Sequence, residues 1–211
     1  MAENFAVVVE GLSTLGEFGD IAESVQKAAV LAINRTARDQ RVRIARLIQS
    51  EIALPASYLR EGGSDNSRLA VTQKAQGGRL EAKITARGRP TSLARYVRNP
   101  GVKRGTPLRL QVAPGRTSIL ERAFLIRLPQ GSTLTDTQFN LGLAIRLRPG
   151  ERIENKTRQV RLARNLYLLY GPSVQQAFLN AQGGGVAAET SDETLAKLEA
   201  EFSRQFDRLV K

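Results

Sequence analysis

Apolar residues follow two different rhythms along this chain. From Ile21 to Leu54 there is no Gly or Pro. Within that stretch Ile21, Val25, Ala28, Ala29, Ala32, Thr36, Ile44, Ile48 and Ile52 recur at steps of three and four. Such spacing puts them on one face of a helix and predicts a long amphipathic helix over about residues 20–54. Asp20 is placed to cap its first turn, and Pro55 ends it. Downstream the rhythm changes to alternation. In "RLAVTQK" (68–74) Leu69 and Val71 alternate with polar residues, in "RLEAKITAR" (79–87) Leu80, Ala82, Ile84 and Ala86 do, and Gly77-Gly78 joins the two runs. That pattern predicts a β-hairpin with a primed turn, in which glycine supplies positive φ.

Further strands are expected at "NFAVVVEGL" (4–12), "LRLQV" (108–112), "AFLIRL" (123–128), "NLGLAIRLRPG" (140–150) and "VRLARNLYLLY" (160–170), the last read as one run. Residues 87–107 hold six Gly or Pro and read as loop, and "SVQQAFLNA" fits a short helix. Gly183–Gly185 opens an expected linker over 183–189, followed by a helix over 190–211 that starts on a Thr190/Glu193 capping pair. The expectation is an α+β fold, with the long helix packed on an antiparallel sheet of five to six strands spanning about 68–170. Residues 1–182 would form this domain, with a tethered C-terminal helix. That helix carries a narrow stripe, Leu195, Leu198, Phe202, Phe206 and Leu209, suited to docking on a neighbouring subunit. No internal repeat is present.

Charge changes the picture most. The 211 residues carry 32 Lys and Arg against 20 Asp and Glu, a net charge of +12. Residues 1–23 hold five acids and no base, 24–170 hold 28 bases and nine acids, and 171–211 hold four bases and six acids. A basic middle between acidic ends attracts a polyanion or an acidic protein surface. Most of the cations are Arg, which suits phosphate. The candidate DNA- or partner-facing residues are Arg87, Arg89, Arg95, Arg98, Lys103 and Arg104 in the loop, with Arg35 and Arg38 on the helix. "RGRP" (87–90) has the core of a minor-groove hook. It reads equally as a basic loop facing phosphates without reading bases, or as a solvated turn.

The chain has no Cys and no His, which excludes a Cys/His zinc site, a thiol nucleophile, a Ser-His-Asp triad and a His base. Glu151 and Glu154 are flanked by Arg148 and Arg152 and read as an ion-pair network rather than a catalytic pair. "QGGGVAA" lacks the Lys-Ser/Thr of a phosphate loop, and no helix is expected directly after it. Neither an enzyme, a cofactor nor a metal is expected. The absence of disulfides fits assembly in a reducing cytoplasm. Residues 1–20 carry acids and no Lys or Arg, so no secretory signal is expected. No apolar run approaches the roughly 18 residues of a membrane span.

Several stretches, in order, resemble a known family. "KAAVLAINRTARDQRVRIARLIQSEIALPASYLRE" resembles the opening of minor tail protein Z of lambda-like tailed phages, with Asn34-Arg35 after the Ala-rich step and Tyr58-Leu59-Arg60-Glu61 at its end. "RGRPTSLARY" looks like that family's basic loop, "ERAFLIRLPQG" is similar to its Ala-Phe strand, and "LYGPSVQQAF" resembles its Gly-Pro-Ser-Val element. The likeness covers about residues 25–180. Arg122 departs from it, standing where a Gly is usual before Ala123-Phe124. The resemblance implies a structural virion protein of tail completion, acting in the neck where tail meets head. It implies a homo-oligomeric ring, a hexamer being the expected number. Its partners would be tail terminator, tail tube and head-tail connector proteins, and packaged double-stranded DNA held without sequence specificity. Two other readings stand beside it: a sequence-independent DNA-binding protein, and an adaptor whose cations meet an acidic protein partner.

Overall fold

A computed structural model describes residues 5–10, 23–59, 68–103, 105–129, 134, 140–153, 159–182 and 186–210. Ten strands and three α-helices are named in chain order: β1 Phe5–Glu10, α1 Glu23–Glu51, β2 Leu69–Gln73, β3 Glu81–Ala86, β4 Thr91–Ser92, β5 Leu108–Leu110, β6 Ser118–Leu120, β7 Ala123–Arg127, β8 Leu141–Arg146, β9 Gln159–Ala163, β10 Leu166–Gly171, α2 Val174–Gln182 and α3 Val186–Val210. The fold is α+β, as the two rhythms predict. Among the described residues no helix is long and apolar enough to cross a membrane.

The 29 residues of α1 lie against both β3 and α3. Its alanines make this possible. Ala28, Ala29, Ala32, Ile33 and Ala37 are fully buried, and Ala32, Ile33 and Ala37 cluster with Ala82 of β3 and Leu198 of α3. Small side chains let two neighbours approach one helix closely. The second half of α1 brings Ile44 and Ile48 into the main core, with Ile84, Leu93, Tyr96, Leu143 and Phe178. Asn34 fixes the hairpin to the helix: its amide donates to the Ala75 carbonyl at 3.0 Å and its oxygen accepts from the Ala75 amide at 2.9 Å. Asp20, the expected cap, lies outside the described residues.

The strands are antiparallel and divide into three sheets rather than one. β3 is central in the first, between β1 and β2. The β2–β3 hairpin forms as expected, closed by reciprocal bonds of 2.9 Å between Gln76 and Arg79. Its turn is not primed, since neither Gly77 nor Gly78 has φ in the left-handed region. A register shift between Val71 and Gln73 supplies the local twist instead. The second sheet centres on β10, which pairs with β8 and β9 along Leu166–Leu169 and with β4 at Tyr170–Gly171; β8 in turn pairs with β7. The run 160–170 is thus a hairpin, β9 and β10, turning at Arg164-Asn165. β5 and β6 form a small ribbon.

The C-terminal region also differs from the expectation. α2 ends at Gln182 and α3 begins at Val186, so only 183–185 separate them, and the Gly run leads directly into a helix. Thr190 lies inside α3 rather than at its cap, and Glu193 turns its carboxylate to Arg43 and Lys197. Because α3 starts at Val186, Thr190 and Glu193 lie past its first turn, where no free N–H groups remain to be capped. A capping box does occur at α2, where Ser173 Oγ accepts from the Gln176 amide at 3.0 Å and the Gln176 side chain reaches back to the Ser173 amide.

Candidate basic interface

The structure splits the sequence-defined basic loop into a packed half and an exposed half. In "RGRPTSLARY", Thr91, Ser92, Leu93, Ala94 and Tyr96 are buried, as β4 and the 3-10 turn that follows it. The Arg87 amide donates to the Arg68 carbonyl at 2.9 Å, and its own carbonyl accepts from the Gln175 amide at 3.1 Å. Arg89 is half-buried. The Arg95 guanidinium sits 4.6 Å from the centre of the Tyr58 ring, and that of Arg68 sits 4.0 Å from it. A cation over an aromatic face is attracted by the ring quadrupole. Burial pushes the Tyr96 phenol well above its usual pKa. Gly171 admits this packing, because a Cβ there would stand 2.9 Å from Leu93 Cδ2 and 3.0 Å from Tyr96 Cε2. Arg87 and Arg95 therefore belong to a packed strap, with Arg89 half-buried between them.

The exposed half is a braced excursion between Val97 and Leu110, which pair as an isolated bridge. The Arg98 amide donates to the Arg109 carbonyl at 2.8 Å, and Arg98 Nε donates to Gln111 Oε1 at 2.7 Å. Asn99 spans the base of the loop, donating to the Pro107 carbonyl at 3.1 Å and accepting from the Arg109 amide at 2.8 Å. Gly105 takes φ of +92° at its tip. Arg98, Lys103 and Arg109 are exposed here; Arg104 lies outside the described residues.

This loop meets a group of arginines that sequence reading missed. It walls a 380 Å³ cleft against β7, and Gly105 also borders a 520 Å³ cleft lined by Arg122, Arg146 and Arg148. Arg122 donates to both Glu151 oxygens, at 2.5 and 3.0 Å, and to the Arg146 carbonyl at 2.9 Å. Glu151 also accepts from the Arg148 amide at 2.7 Å. Hydrogen bonding from Arg122, above all, holds the Glu151 carboxyl below its usual range. Glu151 is thus an ion-pair residue, as expected, but its partner is Arg122; Glu154 lies outside the described residues. The Leu147 amide bonds the Asn165 carbonyl, tying this end of β8 to the β9–β10 turn, where Arg161 donates to the Arg164 carbonyl at 3.0 Å. One end of the second sheet therefore gathers Arg122, Arg146, Arg148, Arg161 and Arg164 beside the loop of Arg98, Lys103 and Arg109. Its described carboxylates are Glu121 and Glu151. Arg122 and Arg164 stand 42 residues apart in sequence, and strand pairing brings them to one end of the sheet.

The cations of α1 divide between internal and exposed. Arg41 is buried, its Nε donating to the Leu69 carbonyl at 3.1 Å and its terminal nitrogen to the Leu59 carbonyl. Arg43 pairs with Glu193. Arg35 is exposed and pairs with Asp39 at 3.5 Å, and Arg38 is exposed. The C-terminal stripe lies on its own chain's α1: Leu198 and Gln205 are buried, Phe202, Phe206 and Leu209 are half-buried, and only Leu195 of the stripe is exposed. Phe202 and Phe206 stack at 6.1 Å. Broad helix–helix packing takes up a stripe that looked too narrow for it.

The molecule is an α+β domain with a basic, guanidinium-rich end. No family model, no curated protein and no solved structure matches the chain.

Proposed function

We propose that this chain is a structural protein of a tailed-phage virion, one subunit of a ring at the head-proximal end of the tail, with DNA passing its basic end. The reading rests on the ordered likeness to the minor tail protein Z family over about residues 25–180. The observation that carries it further is the cluster of Arg98, Lys103, Arg109, Arg146, Arg148, Arg161 and Arg164 beside only two described carboxylates. A channel for DNA needs such a sequence-blind lining, because phosphate contacts carry affinity without sequence information. The role asks for no catalysis. In the likeness, Asn34 and Tyr58 hold the fold, through the Ala75 backbone and the two arginines over the ring.

The test replaces Arg98, Lys103 and Arg109 by Ala together in the phage that carries the gene. The chain should still fold and enter particles, while infectious, DNA-retaining particles fall by at least tenfold. Full infectivity would refute the DNA-facing role. A second reading, a DNA-binding protein acting outside any virion, is favoured by the same cluster. It predicts that isolated protein binds free duplex with affinity falling steeply with salt.

A further inference from the structure

Two exposed helix faces on this chain are complementary in charge. On α1 the residues Lys27, Leu31, Arg35, Arg38, Val42 and Arg46 recur at steps of three and four, and all six are exposed. Four are cations, and the acid beside them, Asp39, pairs with Arg35. Leu31 and Val42, each 43% exposed, stand among these cations. On α3, Asp192, Leu195, Glu199 and Asp207 share another exposed face, with Leu195 at 47%. The neighbouring cations Lys197 and Arg204 lie on the other flank of α3 and are tied to Glu193 and Glu201.

We propose that the basic face of α1 docks on the acidic face of α3 of a second copy of this chain. Within one chain α1 and α3 meet through other residues. α3 already packs on α1 through Leu198 and the Arg43–Glu193 pair, about a quarter turn round α1 from Leu31 and Val42. The lengths match: Lys27 to Arg46 spans about 28 Å and Asp192 to Asp207 about 22 Å of helix. Opposite charges surround an aliphatic centre on each face, the pattern of a hydrophobic contact with a polar rim. Because the two faces differ, the contact is heterologous. Each copy offers one of each, so assembly continues past a dimer into a ring or a filament. The contact itself stands on these two faces; only its closure into a ring rests on the reading above.

The experiment uses two full-length variants. One reverses α1 (Arg35→Glu, Arg38→Glu, Arg46→Glu); the other reverses α3 (Asp192→Arg, Glu199→Arg, Asp207→Arg). All six side chains are exposed, and circular dichroism checks that folding is kept. Light scattering should give wild-type protein a mass above two copies, falling as salt rises. Each variant alone should have the mass of one copy. An equimolar mixture should regain the high mass, because each variant then offers the other an opposite charge. A monomeric wild type, variants that still assemble, or a mixture that stays monomeric would overturn the proposal. A mass that stops at two copies would overturn the heterologous geometry while leaving the virion reading open.

Discussion

Arg41 should be the most costly cation to remove. It is 7% exposed on the buried face of α1. Its guanidinium donates to the carbonyls of Leu59 and Leu69, which bound the connection from the end of the helix into β2. Both residues are themselves almost fully buried, at 2% and 1%. Arg41→Met keeps the length and apolar character of the stem and removes the donors. Two effects oppose each other. Deleting a buried cation recovers its desolvation cost, which alone would stabilise. The two carbonyls, however, belong to the backbone and cannot be deleted with it, so each is left buried without its charged donor. A stranded acceptor costs about 1–3 kcal/mol. With two acceptors stranded the losses win, and the expected destabilisation is about 3 kcal/mol. Arg41→Lys, with one compact ammonium, cannot span both carbonyls and should lose roughly half as much. Urea unfolding measures this directly. With a slope of about 2–3 kcal/mol/M, the midpoint of Arg41→Met should fall by about 1 M or more at unchanged slope. A shift within error of zero would show that the clamp contributes nothing and that the carbonyls find water.

Other expectations follow from packing and charge. Leu198→Ala should cost about 2–4 kcal/mol in urea unfolding, because the alanine-lined seam of α1 and β3 has no side chain able to fill the space; a loss under ~1 kcal/mol would mean α3 is not docked there. Gly171→Ala should lower the melting temperature by several degrees, since its Cβ meets Leu93 and the buried Tyr96 ring at 3.0 Å or less; an unchanged melting temperature would place the strap elsewhere. Hydrogen bonds from Lys197 and then Arg43 hold the Glu193 carboxyl below its usual range, and Arg204 does the same for Glu201. Their folded pKa values lie below the unfolded ones, so their stabilisation is present above the ordinary Glu range, near pH 4–5, and is lost as pH falls through the folded values. Thermal melts of wild type and Glu193→Gln should therefore differ at pH 7 and converge in acid, below the ordinary Glu range; a gap that persists once the carboxyl is protonated would contradict the ion-pair account.

Where one periodicity dominates, the fold can be read from the chain. α1 and the β2–β3 hairpin were legible because their apolar residues keep one spacing for long enough to exclude the other. The split at Arg164-Asn165 was hidden by parity: a two-residue turn leaves Val160, Leu162, Leu166 and Leu168 on the same alternation, and Arg-Asn is a weak turn signal. The burial of 91–96 was hidden by its neighbours, since Gly88, Pro90 and three arginines gave a packed strap the composition of a loop. In the candidate interface, Arg98 and Lys103 were found because they sit in one run of sequence. Arg122, Arg146, Arg148, Arg161 and Arg164 were not, because β7, β8 and the β9–β10 turn bring them together only in three dimensions. Arg41 and Arg43 look like Arg35 and Arg38 in sequence. The carbonyls of Leu59 and Leu69, and Glu193 150 residues away, separate internal cations from exposed ones.

The central claim is a position in a particle, and electron microscopy of purified virions carrying a label fused after Lys211 tests it most directly. The account predicts label density at the head-proximal end of the tail, at one axial level around the DNA path. Label absent from intact particles, with isolated protein binding free duplex in low salt, would contradict it and leave the DNA-binding reading in its place.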